Sequence, residues 1–206
     1  MVTIIDYDAG NIRSVENAFR LLGAQVQITR DAEVISNASR VVLPGVGAFG
    51  DAMQKLNAFG LTEVIREIAG KGTPFLGICL GLQLFFEESE ESPGVKGLSL
   101  LPGKILRIPE AEGLKIPHIG WNDLTFPRET RLFRDIGTNP FVYFVHSYYL
   151  RSEEPSFVAA RTTYGVSVDA AVEKDNLFAC QFHPEKSADV GMRILKNFLS
   201  VQTGQQ

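Results

Sequence analysis

The first half of the chain alternates short apolar runs with longer segments of helical periodicity, and this order strongly constrains the fold. Val2–Ile5 is a β-branched run. Ser14–Leu22 follows with apolar residues three and four positions apart, which predicts a helix with one buried face, and Gly23 supplies a stop. A repeated strand and helix order predicts a parallel sheet that is covered by helices on both faces.

The same order continues to residue 78. Strands are predicted at Gln25–Thr29, at Val41–Leu43 and at Pro74–Ile78, with one or two helices over Met53–Ala69. Pro44 predicts the end of the third strand, because proline cannot donate to a sheet ladder.

The pattern changes beyond residue 100, where short strands follow one another with little helix between them. The predicted strands are Ile105–Ile108, Phe141–Tyr149, Phe157–Thr162, Gly165–Val172 and Leu177–Phe182, and Ser187–Leu199 follows as an amphipathic helix. We therefore predict one three-layer α/β domain over residues 1–206. Its mainly parallel central sheet is flanked by helices, and antiparallel strands join it in the C-terminal half.

Composition excludes several classes of function. A chain of 206 residues with 45% hydrophobic content can bury a full core without disulfides or metal. The net charge of −4 disfavours nucleic acid as a partner, and the longest apolar run, Phe75–Phe86, is too short and too interrupted to cross a bilayer. The N-terminus does not resemble a signal peptide, so we expect a cytoplasmic protein in which a Cys79–Cys180 disulfide would be unusual.

Cys79 lies between two glycines where a predicted strand becomes a predicted helix. The segment Gly77-Ile78-Cys79-Leu80-Gly81 has the layout of a nucleophile elbow with cysteine in place of serine, and helical periodicity follows over Leu80–Glu87. The tight turn requires glycine, since side chains at 77 and 81 would clash with neighbouring backbone. The alternative is a cysteine buried at a glycine-rich strand end.

His183 follows the last predicted strand directly, in Gln181-Phe182-His183-Pro184-Glu185. Pro184 biases His183 away from helical backbone angles, and Glu185 can bond the second ring nitrogen of the imidazole. A lone His-x-Glu is more often an ordinary surface feature. Together with the cysteine elbow, it predicts a Cys79–His183–Glu185 triad.

A glycine-rich loop after Pro44 is a candidate for the oxyanion donors that acyl transfer needs. Leu80 N–H, next to the nucleophile, is the other candidate. Gly45, Gly47 and Gly50 also match a dinucleotide fingerprint, but the match follows the third strand and lacks the downstream carboxylate. We therefore predict no cofactor.

The remaining histidines and the second cysteine lack the spacing of metal ligands. His118, His146 and His183 are far apart in the sequence, and no CxxC or HxxxH pattern occurs, so no metal is predicted. Cys180 is expected in the core, and the His146-Ser147 pair lies in an aromatic segment typical of a half-buried strand.

Taken together, GICLGLQ around Cys79, the loop after Pro44 and QFHPE around His183 resemble the class I (triad-type) glutamine amidotransferase family. Members of that family hydrolyse glutamine to glutamate and ammonia through a cysteine thioester, on a flavodoxin-like fold. The segments PGVGAFGDAM at 44–53, PHIGWN at 117–122 and YFVHSYY at 143–149 resemble the branch that serves histidine biosynthesis. The resemblance covers nearly the whole chain.

The resemblance implies a role for individual residues. Cys79 matches the nucleophile, His183 the general base and then acid, and Glu185 the orienting carboxylate. The positions that hold L-glutamine are matched by Gly47, Gln83, Glu91, Ser147 and Tyr148, and those of the rearranging oxyanion strand by Val46 and Gly47. The implied partner is a (β/α)₈ barrel synthase subunit in a heterodimer. Its interface positions are matched by Asn11, Trp121, Tyr143 and Lys186, although Trp121 alone would be assigned to the core.

Three other functions fit parts of the sequence. The glutaminase of another pathway, such as anthranilate synthase, typically has Pro-Gly-Pro where this chain has Pro44-Gly45-Val46. A free-standing cysteine hydrolase of γ-glutamyl compounds would work without a partner. An inactive binding subunit would not need the intact triad residues.

Overall fold

The computed structural model describes residues 1–202 and contains a seven-stranded sheet and two smaller sheets. The strands are β1 (Val2–Ile5), β2 (Val26–Thr29), β3 (Val41–Gly45), β4 (Phe75–Cys79), β5 (Glu88–Ser89), β6 (Gly103–Arg107), β7 (His118–Asp123), β8 (Phe141–His146), β9 (Tyr148–Ser152), β10 (Val158–Tyr164), β11 (Val166–Lys174) and β12 (Leu177–Cys180). The helices are α1 (Ile12–Leu21), α2 (Ala32–Ser36), α3 (Phe49–Ala58), α4 (Leu61–Gly70), α5 (Leu80–Leu84) and α6 (Ala188–Ser200), with 3₁₀ turns at Pro155–Phe157 and Pro184–Lys186. The predicted domain extends to residue 206, and positions 203–206 lie outside the described residues.

The strand order of the large sheet is β10-β11-β12-β4-β3-β1-β2. The five strands from β12 to β2 are parallel, and β11 and β10 add an antiparallel edge. Read by order along the chain, the parallel part has the doubly wound 2-1-3-4-5 order of flavodoxin-like folds. The predicted mainly parallel α/β architecture is confirmed. In this topology ligands bind beyond the carboxyl ends of the strands, where β3, β4 and β12 deliver their last residues.

Two hydrophobic cores lie on opposite faces of this sheet. On one face α1 and α6 pack through Phe19 and Phe198, whose ring centroids are 6.3 Å apart. On the other face α2, α3 and α4 contribute Ile35, Leu56 and Ile65. Successive residues of β3 alternate between the two cores, as the two-residue period of a strand requires. The sheet is therefore the middle of three layers.

Strand β3 continues through Pro44 to Gly45, so the prediction that Pro44 ends the strand is wrong. β1 pairs with β3 only as far as Val42, and the Pro44 carbonyl accepts a 2.9 Å hydrogen bond from the Tyr7 hydroxyl instead. The proline nitrogen and carbonyl face the side where β1 has ended, so the missing N–H removes no ladder bond.

Two further predictions miss where tertiary hydrogen bonds override local periodicity. The helix after Cys79 ends at Leu84 and not at Glu87, because the carbonyls from Leu84 onward accept from backbone N–H groups of residues 97–101. The predicted strand Phe141–Tyr149 is two strands that separate at Ser147: β8 pairs with β7, and β9 pairs with β6.

The antiparallel strands of the second half join the large sheet only in part. β10 and β11 join it, whereas β5, β6 and β9 form a three-stranded sheet and β7 and β8 a pair. The sequence reading also omitted α2, β5 and β7. Among residues 1–202, every helix is too short or too polar to cross a membrane.

Candidate active site

Cys79 lies at the turn between β4 and α5 with a strained backbone, φ 55° and ψ −107°. A Cβ at Gly77 would lie 2.7 Å from the Gly81 carbonyl oxygen, and one at Gly81 would overlap the Leu43 carbonyl oxygen. Only glycine fits at these two positions, as predicted. The turn lifts the thiol out of the sheet at the edge where flavodoxin-like folds bind ligands.

His183 and Glu185 form a buried pair next to the thiol. β12 is parallel to β4, so the chain that leaves it carries His183 to the same edge as Cys79. His183 Nδ1 lies 2.8 Å from Glu185 Oε1, and the two side chains are 1% and 0% exposed. A carboxylate oxygen can only accept from neutral imidazole, which assigns the proton to Nδ1. His183 Nε2 is therefore the nitrogen left for chemistry, and within residues 1–202 it has no hydrogen-bond partner.

The charge balance around His183 favours its protonated form. Burial lowers the pKa of the imidazole, but the Cys79 sulfur and then Glu185 raise it more strongly, and the pKa becomes about 9. An imidazolium beside a cysteine attracts the negative charge that forms on the sulfur when it acts as a nucleophile. This arrangement is that of an activated cysteine nucleophile with its acid and base.

A pocket of about 310 Å³ opens on the thiol and the imidazole. All of the residues predicted to hold substrate contribute to its lining: Gly47, Gln83, Glu91, Ser147 and Tyr148. Val46 and Leu80, the predicted oxyanion residues, also line it, and Pro117, Val145 and His146 complete it. The described part of the lining contains a carboxylate, Glu91, and no lysine or arginine.

Gln83 and Glu91 present oxygen acceptors to this pocket. Gln83 Nε2 donates to the Tyr148 carbonyl at 3.1 Å and to Gln181 Oε1 at 3.0 Å, so its Oε1 remains for a ligand. Glu91 is held from behind, where Oε2 accepts from Phe49 N–H at 2.7 Å. Two such acceptors in the lining of a small pocket suit an ammonium group.

The oxyanion region combines one ready donor with one unusual backbone. Leu80 is the first residue of α5, and an N–H in the first turn has no partner within its helix. Gly47 has φ +102°, and Val46 before it is 39% exposed. The Val46–Gly47 peptide thus lies at the pocket in a conformation that glycine alone adopts readily.

Asn11 lies against the triad itself. Its Nδ2 donates to Glu185 Oε1 at 2.5 Å, the same oxygen that bonds His183. Asn11 has a left-handed backbone, φ 71°, where α1 begins. The predicted role of Asn11 at a partner interface gave no indication of this contact with Glu185.

Of the other three predicted interface residues, Trp121 and Tyr143 lie on the outward face of the β7–β8 pair, and Lys186 lies beside them on the 3₁₀ turn. Trp121 is 51% exposed, which contradicts a core position, and its ring is 6.1 Å from that of Tyr143. Lys186 Nζ lies 6.0 Å from the Tyr143 ring centroid. Ile119 and Phe141 extend the same face and are 59% and 56% exposed. We call Ile119, Trp121, Phe141 and Tyr143 the β7–β8 patch.

Behind the patch lies a buried histidine pair. The sequence predicts a half-buried strand around His146 and does not predict the strand that carries His118. His118 and His146 face each other across β7 and β8, with Nδ1 and Nε2 3.0 Å apart. Burial lowers the pKa of each to about 4, so both are neutral. In HIGWN the polar residues alternate with the apolar Ile119 and Trp121, and this two-residue period is the signal that could have placed His118 on the face opposite to Trp121.

Cys180 is fully buried in β12, as predicted, and burial raises its pKa. Both cysteines are free thiols. Cys180 is therefore too buried, and its pKa too high, for it to act as a nucleophile. Cys79, in contrast, lines the pocket.

Comparison with known proteins agrees with this geometry. Residues 3–201 match the family model described as glutamine amidotransferase class-I. The chain is 51% identical over 203 residues to the imidazole glycerol phosphate synthase subunit HisH of Methanothermobacter thermautotrophicus, with 98% of each chain covered. It is 49% identical to the protein of the same name from Caldanaerobacter subterraneus, with 96% of this chain and 97% of that one covered.

A solved structure described as a glutamine amidotransferase shares the fold. It superposes with a TM-score of 0.75 at 20% identity, and the match covers 97% of both chains. The family-model match and the 51% identity over nearly the full length decide the assignment. The chain belongs to the class I glutamine amidotransferase family.

Proposed function

We propose that this chain is the glutaminase subunit of an imidazole glycerol phosphate synthase. Its reaction is the hydrolysis of L-glutamine to L-glutamate and ammonia in histidine biosynthesis. The observation that carries the proposal is a single pocket that joins the Cys79 thiol, the His183 imidazole and the acceptors of Gln83 and Glu91. The relatives with about 50% identity over nearly the full length supply the pathway.

The first step is attack of the Cys79 thiolate on the glutamine amide carbon. The ammonium group of glutamine is held by Glu91 and Gln83 Oε1, while Ser147, Tyr148 and Gly47 enclose the remainder of the amino acid. His183, protonated and oriented by Glu185, gives its Nε2 proton to the departing amine. The carbon–nitrogen bond breaks, ammonia leaves and a glutamyl thioester remains on the sulfur.

The developing oxyanion needs two donors that already point at it. Leu80 N–H is one, and a backbone N–H of the Val46–Gly47 segment is the second. We infer that this segment must reorient to present its N–H, since Gly47 is free to change its backbone angles. The subunit alone would then hydrolyse glutamine slowly.

Water completes the cycle. His183, now neutral at Nε2, removes a proton from a water molecule that attacks the thioester, and the Cys79 thiolate is released as leaving group. Glutamate leaves the pocket and His183 is again protonated. No cofactor or metal is needed for either half of the reaction.

The ammonia is useful only if it reaches an acceptor before it is protonated in solvent. We propose that the β7–β8 patch, with Lys186 beside it, docks a (β/α)₈ barrel synthase subunit. Exposed aromatic residues with a cation at the rim are typical of protein interfaces. Such a role belongs in the cytoplasm, where Cys79 and Cys180 stay reduced.

The experiment measures glutamate release by the purified chain with and without the barrel subunit and its nucleotide ligand. We expect a low rate alone, a rate at least about 10²-fold higher in the complex, and none for Cys79→Ala in either sample. A full rate without the partner would identify a free-standing hydrolase. No hydrolysis in any sample would identify an inactive binding subunit.

A further inference from the structure

Gln181 lies behind the nucleophile, on the side away from the pocket. It is 0% exposed, follows β12 directly, and is held by a 2.8 Å hydrogen bond from its backbone N–H to the Ala170 carbonyl. Its side-chain Nε2 lies 3.7 Å from Cys79 Sγ, within the range of an N–H···S hydrogen bond. A residue so deeply buried can reach the sulfur and cannot reach the substrate.

The positions of the oxygen and nitrogen in the Gln181 side-chain amide follow from a hydrogen bond to a backbone carbonyl. The Tyr148 carbonyl can only accept, so the Gln83 atom that lies 3.1 Å from it must be the Nε2 donor. The same Nε2 donates its second proton to Gln181, so Gln181 must present Oε1 to it at 3.0 Å. The remaining Gln181 atom, which faces the sulfur, is therefore the N–H donor.

The Tyr148 carbonyl, on which this assignment depends, also accepts from a second chain of hydrogen bonds. His146 Nδ1 lies 2.9 Å from the Tyr148 carbonyl and must donate to it, which leaves His146 Nε2 as an acceptor. His118 Nδ1, 3.0 Å away, must then donate to His146. Both imidazoles are neutral, and each has one proton in the position that the chain requires. Tyr148 O thus accepts from two buried donors.

We propose that Gln181 is a further catalytic residue, which donates a hydrogen bond to the Cys79 thiolate from beneath the active site. This inference rests on the proposed role of Cys79 as nucleophile. The proton that leaves the thiol goes to His183, and the Gln181 amide stabilises the charge left on sulfur without transferring a proton. A donor to an ionised acceptor stabilises it more than it stabilises the neutral thiol.

The substitution Gln181→Glu separates this role from a packing role. Glutamate has the same length and can still accept from Gln83 Nε2, but it has no N–H for the sulfur. Gln181→Met removes both contacts without adding charge. Gln181→Met therefore controls for a carboxylate placed next to the sulfur, and Gln25→Glu, at an exposed position, controls only for the change in net charge of the chain.

The readout is the rate of Cys79 alkylation by iodoacetamide as a function of pH, with Cys79→Ala as the blank. We expect both Gln181 variants to react about tenfold more slowly at pH 7, the effect of one hydrogen bond to an ionised acceptor. Their pH profiles should move to higher pH, and Gln25→Glu should match the wild type. A folded Gln181→Glu that is alkylated at the wild-type rate would overturn the proposal.

A second measurement needs no substitution at Gln181. The side-chain amide resonance of Gln181, followed by ¹H–¹⁵N NMR, should move when Cys79 is replaced by alanine. An unchanged resonance would mean that the amide does not bond the sulfur. Glutamine hydrolysis by Cys79→Ala tests the proposed function separately. Turnover in that variant would show that Cys79 is not the nucleophile, whatever the role of Gln181.

Discussion

The Cys79 backbone lies in a region that L-residues seldom occupy, which costs on the order of 1–3 kcal/mol. The sequence predicts this feature well, because a strand, two glycines and a helix around one cysteine leave few other geometries. It also predicts the Glu185 contact of His183, since Glu185 lies two residues after the histidine and directly after the proline that turns the chain.

Residues that act through hydrogen bonds to distant segments could not be predicted in the same way. Asn11 is 174 positions from Glu185, and Gln181 is 102 positions from Cys79. Amide side chains carry no periodicity, and their partners exist only after the sheet has assembled. Their contacts with the triad can therefore be identified only from the tertiary structure.

Glu185→Gln should weaken the acid that protonates the departing amine. Removing the carboxylate charge lowers the pKa of His183 from about 9 towards its ordinary value, because Glu185 is one of the two groups that raise it. We expect glutamine turnover to fall on the order of 10²-fold. Imidazole NMR titration measures the pKa directly, and an unchanged His183 pKa in this variant would contradict the assignment.

The His118–His146 pair should make the fold sensitive to acid. Unfolded imidazoles take up protons below about pH 6.5, whereas these two stay neutral until the pH approaches their pKa of about 4. Their stabilising contribution is therefore complete above about pH 6.5 and is lost as the pH falls towards 4.

His118→Gln removes one of these titrating groups and keeps an amide donor for His146. Between pH 6.5 and 4 the free energy of unfolding, measured in urea, should fall less in the variant than in the wild type. Equal slopes for the two proteins would show that His118 is not held in its neutral form.

At the scale of elements, the elbow depends on the close approach of α5 to β3. A Cβ at Gly81 would overlap the Leu43 carbonyl oxygen. Because that oxygen belongs to the backbone of β3, it cannot rotate away as the end of a side chain could. Gly81→Ala should lower the free energy of unfolding by about 3 kcal/mol or more. The measurement is chemical denaturation.

Gly70→Ala is the matched control for that substitution. Gly70 ends α4, and a Cβ there would meet open space. Alanine should change stability by less than about 1 kcal/mol, in the stabilising direction. Similar losses in the two variants would show that the cost at Gly81 is not a clash with β3.

Helices and strands were predicted where the periodicity of the sequence identifies them. They were missed where the choice of a pairing partner decides the bounds of a strand. The strands β1, β2 and β4 each lie within a residue of their predicted bounds, because short apolar or alternating runs between turn residues leave little ambiguity. The division of Phe141–Tyr149 at Ser147 could not be predicted, since all of its residues suit a strand and only the two different partners separate β8 from β9.

At the scale of the whole molecule, the two faces of β7 and β8 have different tasks. The inward face carries the histidine pair, of which His146 lines the pocket, and the outward face carries the β7–β8 patch. Without the family resemblance, Trp121 would be assigned to the core, because a lone tryptophan gives no sign of which face it occupies. Only the pairing of Trp121 with Tyr143 in register turns it outward.

Trp121→Ala should weaken docking of the barrel subunit at least about 30-fold, as expected for an aromatic interface anchor. Leu21→Ala is the control, because Leu21 is also apolar and 81% exposed but lies on α1 away from the patch. Isothermal titration calorimetry gives both affinities. Equal affinities for the two variants would place the interface elsewhere.

Attack of the Cys79 sulfur on the glutamine carbonyl is tested most directly by covalent capture of that sulfur. The chain, together with the proposed barrel subunit, is treated with a glutamine-analogue electrophile, and the labelled peptide is identified by mass spectrometry. We expect one adduct, located on Cys79, with glutaminase activity lost in proportion to labelling and with protection by glutamine. A label on Cys180, or full activity after Cys79 is labelled, would contradict it.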